Sequence, residues 1–501
     1  MEILSRKTCM NIDKETINHI GIPSIVLMEN AANSITEEIK NFGNNVIIFA
    51  GIGNNGGDGL AISRKLTLLN KSVKVVLVGN TEKLTEDNSI NLKIVENLNI
   101  PVIKVNKLLC LNDKEYIKKI IKDSDYVVDA IFGVGLNREI KGIYKEVIDL
   151  INQFSNFTVS IDIPSGLDAD TGETLGMAVK ANNTFTIEFM KKGFFQTKAV
   201  NLIGDIKIVK IDIPKFIKEK NSEKTYIISR DRYKKMIPIR DITGHKGTYG
   251  KVLIVAGSKK YSGAAFITTE ACVRTGSGLV TLLTHKYIAD SLKSRLIEAM
   301  VNEYSNADDI KALDKFDVIA CGPGFSTEKE SIEILYKIIK ESKCKLVLDA
   351  DALNIISENK DMLNKLKGRT IITPHPGELA RLIGVSINEI ESNRIDITRS
   401  FAKKHEIIVL LKGYNTVISD GTNTFVNTTG NSKMASGGMG DCLTGIVASF
   451  LGQQLSMIDA TLLGAYIHGY IGDELSRCRY SVNARDIIEE LPKTIEKLCE
   501  N

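Results

Sequence analysis

The chain has 501 residues, of which 43% are hydrophobic and 25% are charged, and its formal net charge is +4. This length predicts more than one domain, and the composition is ordinary for a globular protein. The small excess of positive charge is too weak to argue for nucleic acid or a membrane surface as a partner, and we expect neither.

Two further features bear on where the protein works. No apolar run reaches the roughly 18 residues that a membrane-spanning helix needs, and residues 1–8 contain no apolar core of signal-peptide length. The 8 cysteines include no Cys-x-x-Cys pair, which argues against a zinc knuckle or a thioredoxin-like site. We therefore expect a cytoplasmic protein in a reducing compartment, with most of its thiols in the core.

Short β-branched runs alternate with longer amphipathic stretches along the whole chain, a pattern typical of parallel α/β sheets. In the first part the predicted strands are residues 46–50, 73–78, 126–130, 159–163, 184–187 and 206–211. In the second part they are residues 251–256, 280–283, 318–321, 345–348, 371–373, 407–411 and 416–419. A charged segment separates the two sets, so we predict a first domain over 1–216, a linker over 217–224 and a second domain over 225–501.

Three predicted strands of the first part are followed by polar turns that contain glycine. The first turn covers residues 51–59, the second follows Asp129 and the third follows Asp162. Because the carboxyl ends of parallel strands meet at one edge of a sheet, Asp58, Asp129 and Asp162 should share one rim. Asp and Gly also form ordinary βα turns, but three such turns on one rim favour a ligand site.

The same turns carry groups that suit phosphates and a cation. Glycine N–H donors can approach phosphate oxygens closely, and Arg138 can pair with a phosphate. The oxygen-bearing side chains of Asn55, Asp129 and Ser165 are hard ligands for a cation. The first part therefore predicts a phosphate-binding site with a cation beside it.

These motifs resemble those of the NAD(P)H-hydrate epimerase family, on the runs 53–59, 133–138 and 162–166. The resemblance implies a Rossmann-like, three-layer parallel sheet, a potassium ion held by Asn55, Asp129 and Ser165, and acid–base work by Asp162. Val134 stands where Thr or Ser is more usual, which affects side-chain contacts only. The residues that the resemblance implies for binding the hydrated dinucleotide are Asn54, Asn55, Gly56, Gly57, Asp58, Gly133, Val134, Gly135, Leu136, Asn137, Arg138, Glu139 and Asp162.

The second part contains a glycine-rich turn, Ser-Gly-Gly-Met-Gly-Asp at 436–441, where an apolar helix is predicted to begin. Glycine N–H groups and the helix N-terminus form an anion site, with Asp441 beside it as a potential base. The purely structural alternative is a tight turn in which Asp441 is only a helix N-cap. Another motif, at residues 245–251, leads into a predicted strand. Further motifs follow predicted strands, at residues 322–325, 349–354, 373–378 and 412–416.

Several other side chains of this part have both a functional and a structural interpretation. His375 lies between two prolines and so on a loop, where it can act on a ligand or hydrogen-bond within the turn. Lys412 follows an apolar strand and can reach a phosphate or lie in solvent. Asp349 and Asp351 either bind Mg²⁺ indirectly or cap a helix, and the sequence leaves both open.

Together these segments resemble the ADP-dependent NAD(P)H-hydrate dehydratase family, a branch of the ribokinase-like α/β fold, over nearly all of residues 225–499. The resemblance implies that Asp441 is the catalytic base. It implies contacts with the hydrated dinucleotide from Ala264 or Ala265 and from Gly324, His375 and Asp441. The residues that it implies for the adenine nucleotide are Lys412, Gly413, Tyr414, Asn415, Thr416 and Gly440.

An epimerase part followed by a dehydratase part resembles the bifunctional repair enzymes of bacteria and archaea. The resemblance implies that the first part interconverts the R and S forms of hydrated NADH and NADPH. The second part would dehydrate the S form with ADP, giving AMP and phosphate. The implied cofactors are K⁺ in the first part and Mg²⁺ with ADP in the second. The implied partners are these small molecules and further copies of the chain, as a homo-oligomer.

Two other interpretations compete with this one. The Gly-x-Gly-Asp chemistry is shared with small-molecule kinases of the hydroxyethylthiazole or pyridoxal type, although the segment 373–378 and the fused first part favour repair. Alternatively, the first part is a regulatory nucleotide-binding module without catalysis. The presence of Asp58, Asp129 and Asp162 with complete glycine turns argues against that alternative.

Overall fold

The structure is a computed structural model and describes residues 1–500. Within that range the chain forms two compact units, of which the first comprises Met1–Glu223 and the second begins at Lys224. Each unit has its own large sheet and its own apolar core. This architecture confirms the predicted α/β fold class.

The first unit contains a seven-stranded, fully parallel sheet of order β4-β3-β2-β5-β6-β7-β9, and a short parallel pair, β1 with β8. Its strands are β1 Ile3–Leu4, β2 Asn45–Ala50, β3 Ser72–Val78, β4 Val102–Val105, β5 Tyr126–Ala130, β6 Thr158–Ile161, β7 Asn183–Ile187, β8 Met190–Lys191 and β9 Asp205–Val209. Its α-helices are α1 Arg6–Glu15, α2 Ser24–Ile39, α3 Asn54–Leu68, α4 Glu86–Asn97, α5 Leu111–Lys122, α6 Ile143–Phe154, α7 Val200–Ile203 and α8 Lys215–Lys220.

Helices cover both faces of this sheet, which is why its central strands are continuous apolar runs. Alternate side chains of β2 enter opposite cores. Val46 and Ile48 pack with α2, α3 and α4, whereas Ile47 and Phe49 pack with α5 and α6. The result is the three-layer arrangement that the resemblance implied.

The second unit contains a ten-stranded sheet of order β10-β19-β18-β17-β16-β15-β14-β11-β12-β13. Its strands are β10 Thr225–Tyr226, β11 Lys251–Val255, β12 Leu279–His285, β13 Met300–Tyr304, β14 Val318–Cys321, β15 Lys345–Leu348, β16 Thr370–Ile372, β17 Ile408–Leu411, β18 Thr416–Ser419 and β19 Thr424–Asn427. Its α-helices are α9 Arg230–Lys234, α10 Ser262–Thr275, α11 Lys286–Lys293, α12 Lys329–Glu341, α13 Asp351–Glu358, α14 Pro376–Ile383, α15 Ile387–Ser392, α16 Arg394–His405, α17 Met439–Gly452, α18 Met457–Ser476 and α19 Ala484–Glu500.

Helix α17 is the central helix of this unit. It packs against α10 and α18 on one side and against strands β11, β14 and β15 on the other. Its residues are buried almost all round, as expected for a helix enclosed by other elements. The glycine-rich turn at its start is therefore held by the core of the unit.

The expectation of parallel strands is wrong at one place. Strand β18 runs antiparallel to both β17 and β19. The turn that joins β17 to β18 has only residues 412–415, and a parallel connection needs a crossover of a dozen residues or more. The short turn thus fixes the reversed direction.

The segment 217–224, which we predicted as a linker, lies mostly within the first unit. It contains the end of α8, and Ile217 is only 2% exposed in an apolar cluster with Leu4, Ile12 and Ile213. Glu223 forms an ion pair with Lys192, with 2.8 Å between the charged atoms. The many lysines and glutamates of this segment obscured its buried apolar residue. In the part of the chain that the structure describes, no helix is long and apolar enough to span a membrane.

Candidate active sites

The first unit has a cavity of about 710 Å³ at the carboxyl ends of its strands. The turns after β2 and β5 and the residue after β6 line it, as predicted for a parallel sheet. The predicted site residues that line the cavity are Asn54, Asn55, Asp58, Gly133, Val134, Gly135, Leu136, Asn137, Arg138 and Asp162.

The other predicted residues of this unit lie behind the wall or beside it. A Cβ on Gly56 would lie 1.9 Å from the carbonyl oxygen of Gly51, so this glycine permits close backbone packing. A Cβ on Gly57 would meet the side chain of Met28 at 2.7 Å. Glu139 is solvent-exposed and forms an ion pair with Lys141.

Asp162 is held at the cavity by an unusual backbone and a buried cation. It follows β6 with φ +64°, and it is 6% exposed. Its carboxylate accepts hydrogen bonds from the Nζ of Lys191 at 2.6 Å and from the N–H of Val134 at 3.1 Å. Lys191 is 1% exposed, and sequence reasoning missed it. The ion pair gives Asp162 a fixed orientation toward the cavity.

Two further carboxyl groups face the same cavity. Burial, together with the charges of Asp162 and Asp13, holds the pKa of Asp58 well above its usual range. Burial and then the charge of Asp162 raise the pKa of Asp13 to about 6. The sequence analysis did not single out Asp13, because α1 lies far from the glycine turns along the chain.

The residues predicted to hold potassium fit a cation. Asp129 is fully buried, and its carboxylate accepts hydrogen bonds from the hydroxyls of Ser160 and Ser165 at 2.8 and 2.5 Å. Both donors are neutral, and burial raises the pKa of Asp129. The amide oxygen of Asn55 is buried and has no hydrogen-bond partner within residues 1–500. A cation would satisfy that oxygen and balance the buried carboxylate.

In the second unit the glycine-rich turn starts α17 as predicted. Gly438 has φ +88°, in the left-handed region that favours glycine, and precedes the first helical residue. Asp441 lies in the first turn of the helix. Burial and the charge of Asp349 raise the pKa of Asp441 to about 6. Such a carboxylate can accept a proton near neutral pH.

Lys412 and Asp349 lie directly beside this turn. Their charged atoms are 2.6 Å apart, and the hydroxyl of Thr444 donates to the other oxygen of Asp349 at 2.8 Å. A Cβ on Gly440 would lie 3.3 Å from the Nζ of Lys412. Burial disfavours the charged form of Lys412, but the carboxylates of Asp349 and Glu378 outweigh it and raise its pKa. Sequence reasoning missed the contributions of Thr444 and Glu378.

Asp351 behaves differently from Asp349. It is the first residue of α13, and its carboxylate accepts a hydrogen bond from the N–H of Ser326 at 2.8 Å. The two acids, whose roles the sequence left open, therefore differ in their contacts. Asp349 forms an ion pair with Lys412, whereas Asp351 accepts a hydrogen bond from the backbone at Ser326.

His375 both caps a helix through a hydrogen bond and exposes part of its side chain to solvent. It is the N-cap of α14, where its Nδ1 accepts from the N–H of Gly377 at 3.0 Å. Glu378 accepts in turn from the N–H of His375 at 2.7 Å. The imidazole is nevertheless 51% exposed, with its Nε2 3.4 Å from Glu378. Burial and the charge of Lys412 lower the pKa of the imidazole, which favours its neutral form.

The structure distinguishes between the two alanines that we considered. Ala265 is completely buried, whereas Ala264 is partly exposed on α10. Gly324 has φ +60°, and a Cβ there would lie 2.9 Å from the Cβ of Ala264. Ala264 and Gly324 thus form one small-residue contact beside the start of α10.

The turn 412–416 is shaped by positive backbone angles and by a buried arginine. Gly413 has φ +139° and Asn415 has φ +56°. Arg394, only 1% exposed, donates to the carbonyl oxygens of Leu411 and Lys412 at 3.2 and 3.0 Å. Tyr414 is 50% exposed and projects from the turn. These two hydrogen bonds from Arg394 fix the backbone at the start of the turn, a role that the sequence did not reveal.

The fold and these two sites define a class: a Rossmann-like unit with its own cavity, followed by a ribokinase-like unit with a glycine-rich turn. Residues 24–193 match the family model described as YjeF-related protein N-terminus, and residues 252–493 match that of NAD(P)H-hydrate dehydratase. A bifunctional NAD(P)H-hydrate repair enzyme of Moorella thermoacetica is 34% identical, over 98% of this chain and 96% of that protein. Another, from Thermofilum pendens, is 32% identical over 98% and 95%. The chain belongs to the family of bifunctional NAD(P)H-hydrate repair enzymes.

Solved structures match the second unit. An ADP/ATP-dependent NAD(P)H-hydrate dehydratase from Bacillus subtilis, co-crystallised with ATP and Mg²⁺, is 26% identical with a TM-score of 0.50. It covers 55% of this chain and 100% of its own. A ribokinase-like superfamily protein from Enterococcus faecalis is 29% identical with a TM-score of 0.52, over 56% of this chain and 98% of its own. These matches confirm the predicted ribokinase-like fold.

Proposed function

We propose that this chain repairs hydrated NAD(P)H, with epimerisation in the first unit and nucleotide-dependent dehydration of the S form in the second. One observation carries the proposal. Asp441, with its pKa near 6, lies at a glycine-rich helix start beside Lys412, while a separate cavity of the first unit holds Asp162 and Asp58. A small-molecule kinase needs only the first of these two sites.

In the second unit, phosphorylation would convert the C6 hydroxyl of the hydrate, which is a poor leaving group, into phosphate, which is a good one. Asp441 accepts the proton of the C6 hydroxyl of the substrate as that oxygen attacks the terminal phosphorus of ADP, releasing AMP. The N–H groups at the start of α17 stabilise the charge on the transferred phosphoryl group. The ring nitrogen lone pair then expels phosphate, and loss of a C5 proton restores the double bond.

The side chains around this reaction have distinct roles in our proposal. His375 and Gly324, with Ala264, contact the hydrated dinucleotide. Lys412 neutralises phosphate charge, and the turn that it begins binds the adenine nucleotide. Mg²⁺ bound with the nucleotide would neutralise further phosphate charge. Asp349, which is paired with Lys412, is the carboxylate that would hold this ion.

The first unit supplies the second with the correct epimer. A chiral phosphoryl-transfer site accepts one C6 epimer well, and hydration produces both. We propose that Asp162 performs acid–base work on the bound R and S forms, while the start of α3 (54–58) and the turn 133–139 bind the dinucleotide. Potassium held by Asn55, Asp129 and Ser165 would position the substrate. Association of the chain with copies of itself stays a prediction.

A single incubation tests the proposed function. The purified chain is mixed with R and S hydrates of NADPH and with ADP or ATP in separate reactions. We expect complete recovery of reduced-nicotinamide absorbance at 340 nm with ADP, together with stoichiometric AMP. Recovery of the S hydrate alone would contradict epimerisation, and a stable phosphorylated product would favour the kinase alternative.

A further inference from the structure

Helix α1 lies outside the range 24–193 that matches the family model, yet it forms part of the cavity wall of the first unit. Cys9, Met10, Asp13 and Lys14 line the cavity beside the glycine turns. Asp13 is the carboxyl group that α1 contributes. Only burial and the charges of neighbouring groups act on it, and its side chain has no hydrogen-bond or ion-pair partner within residues 1–500.

The charged groups around Asp13 come from several elements. Asp162 follows β6 and is paired with Lys191 of β8. Glu188, before β8, accepts a hydrogen bond from the backbone N–H of Ile211 and forms an ion pair with Lys218. Asp58 of α3 is a further neighbouring carboxyl, and the charge of Asp13 contributes to the raised pKa of Asp58. Lys191, the cation that acts on Asp13, is thus already paired with another carboxylate.

The ionisation of Asp13 follows from these neighbours. Burial and the charges of Asp162 and Glu188 raise its pKa to about 6, against a smaller opposing effect of Lys191. Cys9 is neutral beside it, because burial raises the pKa of that thiol to about 12. Two carboxyls of one cavity therefore have different environments, one ion-paired and one protonated in part near neutral pH.

We propose that Asp13 is a second acid–base residue of the first unit and exchanges a proton with the ring nitrogen, while Asp162 exchanges one with the C6 hydroxyl. The inference rests on the proposed epimerase function. It assigns a chemical role to a helix that the family model does not cover.

The step balances without any redox partner. Asp162 takes the proton of the C6 hydroxyl, a C6–O double bond forms, and the C6–N1 bond breaks. The electron pair of the broken C6–N1 bond stays on N1, and N1 takes the proton of Asp13. The C5–C6 bond rotates in the open-chain aldehyde. In the reverse sequence N1 returns its proton to Asp13 and attacks the other face of the carbonyl carbon, and the oxygen regains the proton of Asp162.

The test compares Asp13→Asn with Asn11→Ser, a change on the exposed side of the same helix. Epimerisation is followed from the R hydrate by chromatography between pH 5 and 8, using the full chain. We expect wild-type kcat/KM to fall as the pH rises above about 6, and Asp13→Asn to lose about 100-fold at pH 6 together with that pH dependence. Asn11→Ser should match the wild type in both respects.

A second readout separates chemistry from folding. Dehydration of purified S hydrate by the same Asp13→Asn protein should stay at the wild-type rate, its Tm should not fall, and Asp13→Glu should restore part of the epimerisation. Wild-type epimerisation and pH profile in Asp13→Asn would overturn the role of Asp13 and leave the proposed function intact. Absence of epimerisation in the wild type would overturn the proposed function itself.

Discussion

At the scale of single residues, the proposed base of the second unit, Asp441, lies in the first turn of α17 beside Lys412. Asp441 has its pKa near 6 because it is buried and close to Asp349. Lys412 limits that rise, since its ammonium favours the ionised carboxylate. The carboxylate form therefore predominates above pH 6 and gives way to the neutral acid below it, which sets the direction of a pH dependence.

Replacing Asp441 with Asn should abolish dehydration and leave epimerisation unchanged. The amide keeps the size of the side chain but cannot accept a proton, so we expect a loss of about 100-fold or more in kcat. In the wild type the same rate should fall as the pH drops through about 6. Both are measured from 340 nm absorbance with ADP and pure S hydrate. Wild-type activity in Asp441→Asn would remove Asp441 as the base.

At the scale of elements, the start of α3 depends on backbone-to-backbone packing. Gly56 lies against the carbonyl oxygen of Gly51 after β2, closer than any side chain permits. Gly53, at the N-cap of the same helix, has open space around its Cβ position and an ordinary φ of −91°. An added methyl group would therefore clash with the backbone at Gly56 and find open space at Gly53.

Gly56→Ala should destabilise the first unit, whereas Gly53→Ala should not. The added methyl group at residue 56 would force α3 away from β2, with an expected loss of about 1–3 kcal/mol in the free energy of unfolding. Urea unfolding of both variants, followed by circular dichroism, measures the difference. Equal midpoints for the two variants would contradict the packing argument.

Sequence patterns predicted the elements that carry their own signal. The apolar runs of β2, β5 and β14 were recognised because both faces of these strands are buried. Strands β8 and β10 have two residues each and therefore no periodicity. They form only because a neighbouring strand offers hydrogen-bond partners.

The same distinction applies to the sites. Asp162 and Asp441 lie in or beside glycine motifs that can be read along the chain, so the sequence alone marks them as candidates. Lys191 and Arg394 act through contacts with residues 29 and 17–18 positions away, which only the folded chain brings together. Asp13 belongs to an ordinary amphipathic helix, and its site became evident from the cavity alone.

At the scale of the whole molecule, the chain combines two units that each bury a complete core. The second unit corresponds to the full length of the Bacillus subtilis dehydratase, of which 100% is covered by 55% of this chain. That structure was solved for a chain of about the length of the second unit alone. This supports assigning the dehydratase to the second unit.

A fragment of residues 224–501 should fold and dehydrate S hydrate without the first unit. We expect its kcat with ADP to be within a few-fold of the full chain, since Lys412, Asp349 and Asp441 all come from this unit. It should leave the R hydrate untouched. An unfolded fragment, judged by circular dichroism, would show that the second core depends on the first.

In the full chain, Asp162→Ala should stop repair after the S hydrate is consumed. The substitution removes the proposed acid–base group and leaves the ammonium of Lys191 buried without its partner, so Tm is measured alongside. Chromatography of the remaining hydrate should show the R form. Complete repair of both forms at the normal rate would exclude Asp162 from catalysis.

The half-exposed Tyr414 has a practical consequence, because this sequence contains no tryptophan. An indole introduced by Tyr414→Trp would be the sole tryptophan fluorophore in the molecule. It would report from the turn itself, held in place by Arg394 beneath it. If the turn binds the adenine nucleotide as we propose, nucleotide binding could then be timed optically and separately from the appearance of the reduced nicotinamide ring, in one sample and without a label.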